Sequence, residues 1–176
     1  MALAADSIDH GLVRDKPFPV VPDNFPPLLR EKRAAFVTLR KDGELRGCIG
    51  SVEAVHPLAQ DVAINAFKSA FHDPRFSRLK PEETETLHIS ISILTTPTRL
   101  LVSSEADLIE QLRPGVDGLI LKERNRRATF LPSVWETIPD PGEYVLHLKQ
   151  KGGWAKGHWS GKMACYRYGT VLVEDA

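Results

Sequence analysis

Apolar and polar positions alternate over residues 34–40 and again over 45–50, on either side of Lys41-Asp42-Gly43-Glu44. Alternation at period two marks a half-buried strand, and Asp-Gly between two such runs predicts a tight hairpin. From residue 57 the period changes. Leu58, Val62, Ala63, Ala66, Phe67, Ala70 and Phe71 recur at helical spacing, with Asp61, Asn65, Lys68 and Ser69 mostly on the other side. Pro57 suits the first turn of this helix. Asp73-Pro74 ends it, because proline disfavours helical geometry in the residue before it. Residues 87–94 alternate again, Leu87, Ile89, Ile91 and Ile93 against His88, Ser90 and Ser92, which predicts a third half-buried strand.

The flanking regions are less regular. Residues 6–13 predict a short helix that Gly11 weakens. Pro17, Pro19, Pro22, Pro26 and Pro27 then predict an extended strap across the surface. After Pro97, Ser103-Ser104-Glu105 supplies an N-cap for a helix ending near Arg113-Pro114-Gly115. Residues 118–123 and 126–131 predict a second hairpin across Arg124-Asn125. Pro132 opens a short helix through Trp135, and residues 143–150 form another, stopped by Gly152-Gly153. A loop with Trp154 and Trp159 leads to one last strand over 163–173. Strands joined by hairpins, with helices between others, predict a largely antiparallel α+β fold.

At 176 residues, the chain is long enough for one domain, or one domain with two lobes, around a sizeable core. Lys and Arg total 23, matching 23 Asp and Glu, so no global field attracts nucleic acid or an anionic membrane. Nucleic acid is therefore not an expected partner; such a role would need a local basic patch, at 124–127 or 149–156. The two cysteines, 117 positions apart, make neither a disulfide framework nor a zinc knuckle. No metal ligand set is predicted, and no cofactor is required by the sequence. Residues 1–10 lack the basic start and apolar run of a signal peptide. No segment approaches the roughly 20 apolar residues of a membrane span. A cytoplasmic, reducing location is the expectation.

The chemistry concentrates in Leu45-Arg46-Gly47-Cys48-Ile49-Gly50. Glycine lets the backbone come close to another group, and a cationic neighbour lowers a thiol pKa from its free value of about 8.5. Cys48 and Arg46 are thus the candidate catalytic pair. The thiol can act as nucleophile, redox group or metal ligand, or it can be a small core residue on a strand. Arg46, two positions away, is expected on the same strand face, where it favours thiolate or clamps an anion. Its plainer reading is a surface ion pair. Gly47, Gly50, His72, Arg75 and Arg127 are the candidate binding residues. His56 and His72 flank the helix and can pair with the thiol, or simply be solvated histidines. Trp154 and Trp159 with Lys151 and Lys156 can stack on a nucleotide, or staple a loop by burial.

Taken in order, several motifs resemble the AMMECR domain family, which in prokaryotes includes proteins called AmmeMemoRadiSam system protein A. They are Phe36-Val37-Thr38-Leu39, the hexapeptide, Asp73-Pro74-Arg75-Phe76, Arg127-Ala128-Thr129-Phe130-Leu131-Pro132 and Lys151-Gly152-Gly153. The resemblance covers roughly residues 26–173, and a short proline-rich start replaces the family's longer opening helix. It implies an α+β protein of two lobes, mainly antiparallel sheets with packed helices, and a cleft between lobes near the hexapeptide. It also implies Memo-like and radical S-adenosylmethionine proteins as partners, since members are fused to them or encoded beside them. The expected function is an enzyme or enzyme component using a cleft with Arg46 and Cys48, with a small-molecule ligand among the candidate partners. The alternatives are an adaptor or substrate-binding module in which Cys48 is structural, and a nucleic-acid-binding regulator.

Overall fold

Asp42 and Gly43 both have positive φ, 51° and 81°, the turn geometry that two-residue hairpin loops select. They join β1 (Ala35–Lys41) to β2 (Glu44–Gly50) in an antiparallel pair. β3 (Leu87–Leu94) pairs antiparallel with the other side of β1. The face of Ala35, Val37, Leu39 and Ile91 is buried. Onto it packs α3 (Leu58–Phe71), which opens at Pro57 and stops before Asp73-Pro74. Hairpin, helix and third strand all form where the alternation and the helical period put them.

The structure, a computed structural model, describes residues 1–174. The chain forms two compact units, residues 1–94 with the end of the chain, and residues 95–170. In the first, α1 (Ala2–Arg14) is longer than residues 6–13, because Ala4, Ser7, Ile8 and Gly11 make one buried face. Phe67 and Phe71 lie where a Gly11 side chain would be, so the glycine is a packing choice. The proline-rich stretch is not wholly extended. It holds a 3-10 turn at Pro22–Asn24 and the short α2 (Pro27–Arg30). Another 3-10 turn, Pro81–Thr86, precedes β3.

The second unit carries β4 (Thr98–Leu100), α4 (Glu105–Gln111), β5 (Gly118–Glu123), β6 (Arg126–Phe130), α5 (Pro141–Lys151) and β7 (Ala164–Tyr168). Its sheet has the order β4-β7-β5-β6. Ser104 Oγ accepts the Asp107 amide at the start of α4, the predicted N-cap. Leu108, Leu119, Leu121, Trp135, Tyr144, Leu148 and Cys165 fill its core. Lys149 is fully buried, its Nζ 2.6 Å from Glu105 and 2.7 Å from the Lys156 carbonyl. Residues 149–156 are therefore not a free basic patch. Trp154 is also buried and donates to Glu123 at 3.0 Å, which is the loop-stapling arrangement.

Two strands depart from the sequence reading. β4 is only three residues long, too short for a period to show. The expected single strand over 163–173 is two, β7 and β8 (Thr170–Glu174). The break falls at Gly169, whose amide and carbonyl bond to Thr95. β8 joins the first unit's sheet, which has the order β2-β1-β3-β8. The fold is α+β, with two antiparallel four-stranded sheets and packed helices.

Candidate functional site around Cys48

Gly47 comes first, because it sets how close the helix lies. A Cβ built there would stand 2.2 Å from the Ser69 carbonyl oxygen, so only glycine lets β2 pass directly over the α3 backbone. At Gly50 a Cβ would fall 2.2 Å from the Phe36 ring. Both recesses are filled by the protein's own atoms. The glycines of the hexapeptide serve packing, Gly47 against the helix and Gly50 against the Phe36 ring, and Cys48 lies on the face opposite Gly47.

Cys48 pairs with Thr38, and Thr38 with Ser90 on its other side. Thiol and two hydroxyls thus form a half-buried row across β2, β1 and β3. The Thr38 hydroxyl donates to Cys48 Sγ at 3.3 Å. The peptide of Cys48 faces away from β1. Its N–H donates to Asp73 Oδ2 at 2.9 Å, and its carbonyl accepts from Arg75 Nη2 at 3.2 Å. Asp73 and Arg75 are themselves joined, Nε to Oδ1 at 3.0 Å and Nη2 to Oδ2 at 2.7 Å. The Asp73 side chain is 2% exposed and that of Arg75 54%.

Two sequence motifs, the hexapeptide and Asp73-Pro74-Arg75-Phe76, therefore interlock at one residue. The Arg75 guanidinium, with the Cys48 and Arg75 amides, holds the Asp73 carboxyl well below the usual carboxylate range against its desolvation. Arg75 is raised above the ordinary arginine value, chiefly by its hydrogen bonds to Asp73. Arg75, and not Arg46, is the cation bonded to Cys48, through its carbonyl.

Arg46 is placed differently. Leu39 pairs with Gly47 and Arg40 with Leu45, which leaves Arg46 as the extra residue of a bulge. The alternation that would have put it on the face of Cys48 is interrupted there. Its Nε and Nη2 bond to Glu83 at 2.8 and 3.0 Å, and Nη1 to the Ser77 carbonyl at 3.0 Å. Glu83 is pulled down to about 2, mainly by that guanidinium. Arg46 thus ties β2 to the segment after α3. His72 caps α3, exposed, with its ring edge-on to Phe67 at 5.0 Å. Arg127 stands on β6, paired with Lys122 in the other unit. Among the described residues, neither His56 nor His72 has a hydrogen bond to Cys48, and no cluster of three or more metal-ligating side chains is present.

The sequence reading missed the polar face of α3. Asp61, Asn65 and Ser69 are buried and turned to the sheet, not to solvent. Asp61 accepts the Ala35 amide and the Ser51 hydroxyl; Asn65 donates to the Ala35 carbonyl. Ser69 Oγ accepts from Ile49 N and donates to the Val37 carbonyl, a relay between β2 and β1. Asp73 continues the series. Four small polar residues spaced by four were the available signal, since i and i+4 share a helix face. Burial pushes the Asp61 carboxyl upward, against the hydrogen bonds it accepts.

Two antiparallel sheets, each backed by helices, and a polar-clamped thiol on a glycine-flanked strand define the class: an α+β protein of two sheet units. Over residues 1–173 the chain matches the AMMECR1 family, and it belongs to that family. The match takes in residues 1–25, outside the motif-based span of 26–173. A protein of Methanothermobacter thermautotrophicus is 45% identical over 134 residues, 76% of this chain and 70% of that one. One from Methanocaldococcus jannaschii is 34% identical over 160 residues, 89% and 80% of the two chains. The crystal structure of an uncharacterised protein from Pyrococcus horikoshii matches with a TM-score of 0.81 at 29% identity. It covers 97% of this chain and 87% of that one. Among the described residues, no helix is long and apolar enough to cross a membrane.

Proposed function

We propose that this protein is an enzyme, or a component of one, whose reacting group is the Cys48 thiol. The observation that carries the reading is the pair of groups at Cys48, a Thr38 hydroxyl on its sulfur and the Arg75 guanidinium on its carbonyl. A cation and a hydroxyl donor stabilise the negative charge that a nucleophilic sulfur carries. Asp73 fixes the guanidinium from behind, a positioning role, and leaves Nη1 for an incoming anionic or carbonyl group. Arg46 positions β2 through Glu83. By family resemblance the pathway is one of small-molecule or macromolecule modification in the cytoplasm, with Memo-like and radical S-adenosylmethionine proteins as partners.

The test separates the two arginines. Alkylation of Cys48 by iodoacetamide at pH 7 is expected to slow several-fold in Arg75→Gln and to recover partly in Arg75→Lys. In Arg46→Gln the rate should stay near that of the parent while the melting temperature falls. Equal rates in the parent and Arg75→Gln would overturn the reading. They would favour a non-catalytic adaptor, which is supported by the complete use of the Cys48 peptide in holding Asp73 and Arg75.

A further inference from the structure

Glu123, at the end of β5, accepts from the Trp154 indole at 3.0 Å and from the Ser160 hydroxyl, with His158 Nε2 at 2.9 Å. These donors pull its carboxyl down to about 2, Ser160 foremost. The charge is thereby occupied by the loop over residues 154–162, which it folds against the hairpin tip. Beside it opens a groove of about 870 Å³, lined by Arg124, Arg126, His158, Ser160, Lys162 and Glu123 itself.

Three permanent cations face this one engaged carboxylate, in a chain whose formal net charge is zero. Arg126 spends one guanidinium nitrogen on the Gly153 carbonyl at 2.7 Å. Among the described residues the side chains of Arg124 and Lys162 have no hydrogen-bond or ion-pair partner, so their donors are available to a ligand. Arg124 also occupies an unusual backbone state. Its φ is 51°, at the first position of a two-residue hairpin loop, where asparagine, aspartate or glycine fits with less strain. The strained position carries a guanidinium that lines the groove.

We propose that this groove binds a small phosphorylated ligand, with Arg124 and Lys162 holding the phosphoryl oxygens. Guanidinium matches such a group bidentately and ammonium adds a point charge. The volume is in the range of small-molecule sites, about 300–1,000 Å³, with room for more than the phosphoryl group. The site is in the second unit, and does not depend on thiol chemistry at Cys48.

Amide NMR titration of the full chain with inorganic phosphate and with AMP tests it. Saturable shifts confined to residues 123–126 and 158–162 are expected. Arg124→Glu and Lys162→Glu, both at exposed positions, should each weaken binding about tenfold or more, as loss of a charged hydrogen bond does, without lowering the melting temperature. Absence of saturable shifts, shifts spread over lysines and arginines elsewhere, or undiminished binding in both variants would overturn the proposal.

Discussion

Gly47 shows how much a single residue carries in this site. Its missing side chain lets β2 lie on the α3 backbone, and the obstacle to any Cβ is a helix carbonyl that cannot rotate away. At Gly50 the obstacle is the Phe36 ring, which can turn. Gly47→Ala should therefore cost at least about 1–3 kcal/mol, and Gly50→Ala less. Urea unfolding of the two variants beside the parent checks the order; a Gly47→Ala protein of unchanged stability would contradict the packing described. The hexapeptide stood out in the sequence as a cysteine between glycines beside an arginine. Its division of labour was not legible. Whether Arg46 faces the thiol depends on a bulge, and a bulge is set by the pairing partner β1, not by the letters of β2.

Among the elements, the hairpin and α3 were readable because turn chemistry and hydrophobic period act locally. The polar stripe of Asp61, Asn65, Ser69 and Asp73 was not. Polar residues on a helix normally face water, and here they hydrogen-bond to backbone groups of β1 and β2. The same elements respond to acid. Folding lowers the Glu83 carboxyl from 4.5 to about 2, chiefly through the Arg46 guanidinium. A carboxyl lowered on folding stabilises the fold above its unfolded value, and that contribution is lost as pH falls towards the folded value. The Arg46 clamp should thus weaken between pH 4.5 and about 2. Glu83→Gln is expected to lower the melting temperature at pH 7 and to flatten its fall across that window. Melting curves of parent and variant that drop in parallel through it would contradict the assignment.

Across the whole molecule, the α+β class followed from local hairpins and interspersed helices and two lobes from the family resemblance, whereas the boundary between the two units was not legible. The chain leaves the first unit after β3 and returns through β8, and its return is hidden in a stretch, 163–173, rich enough in strand formers on both sides of Gly169 to read as one strand. Fold and family leave the reaction open, because function resides in the site and not in the architecture. The molecule supplies its own control for that site. Cys48 is half-buried on the first unit's sheet, with Thr38 on its sulfur and Arg75 on its carbonyl. Cys165 is 1% exposed in the second unit's core, where burial pushes its thiol up to about 11. Peptide-level mass spectrometry of the native protein, alkylated at pH 7 over a time course, compares the two directly. Cys48 should be modified at least about tenfold faster than Cys165, and faster than free cysteine. A Cys48 that stays unmodified until the protein unfolds, or that reacts no faster than Cys165, would contradict a working thiol at this site.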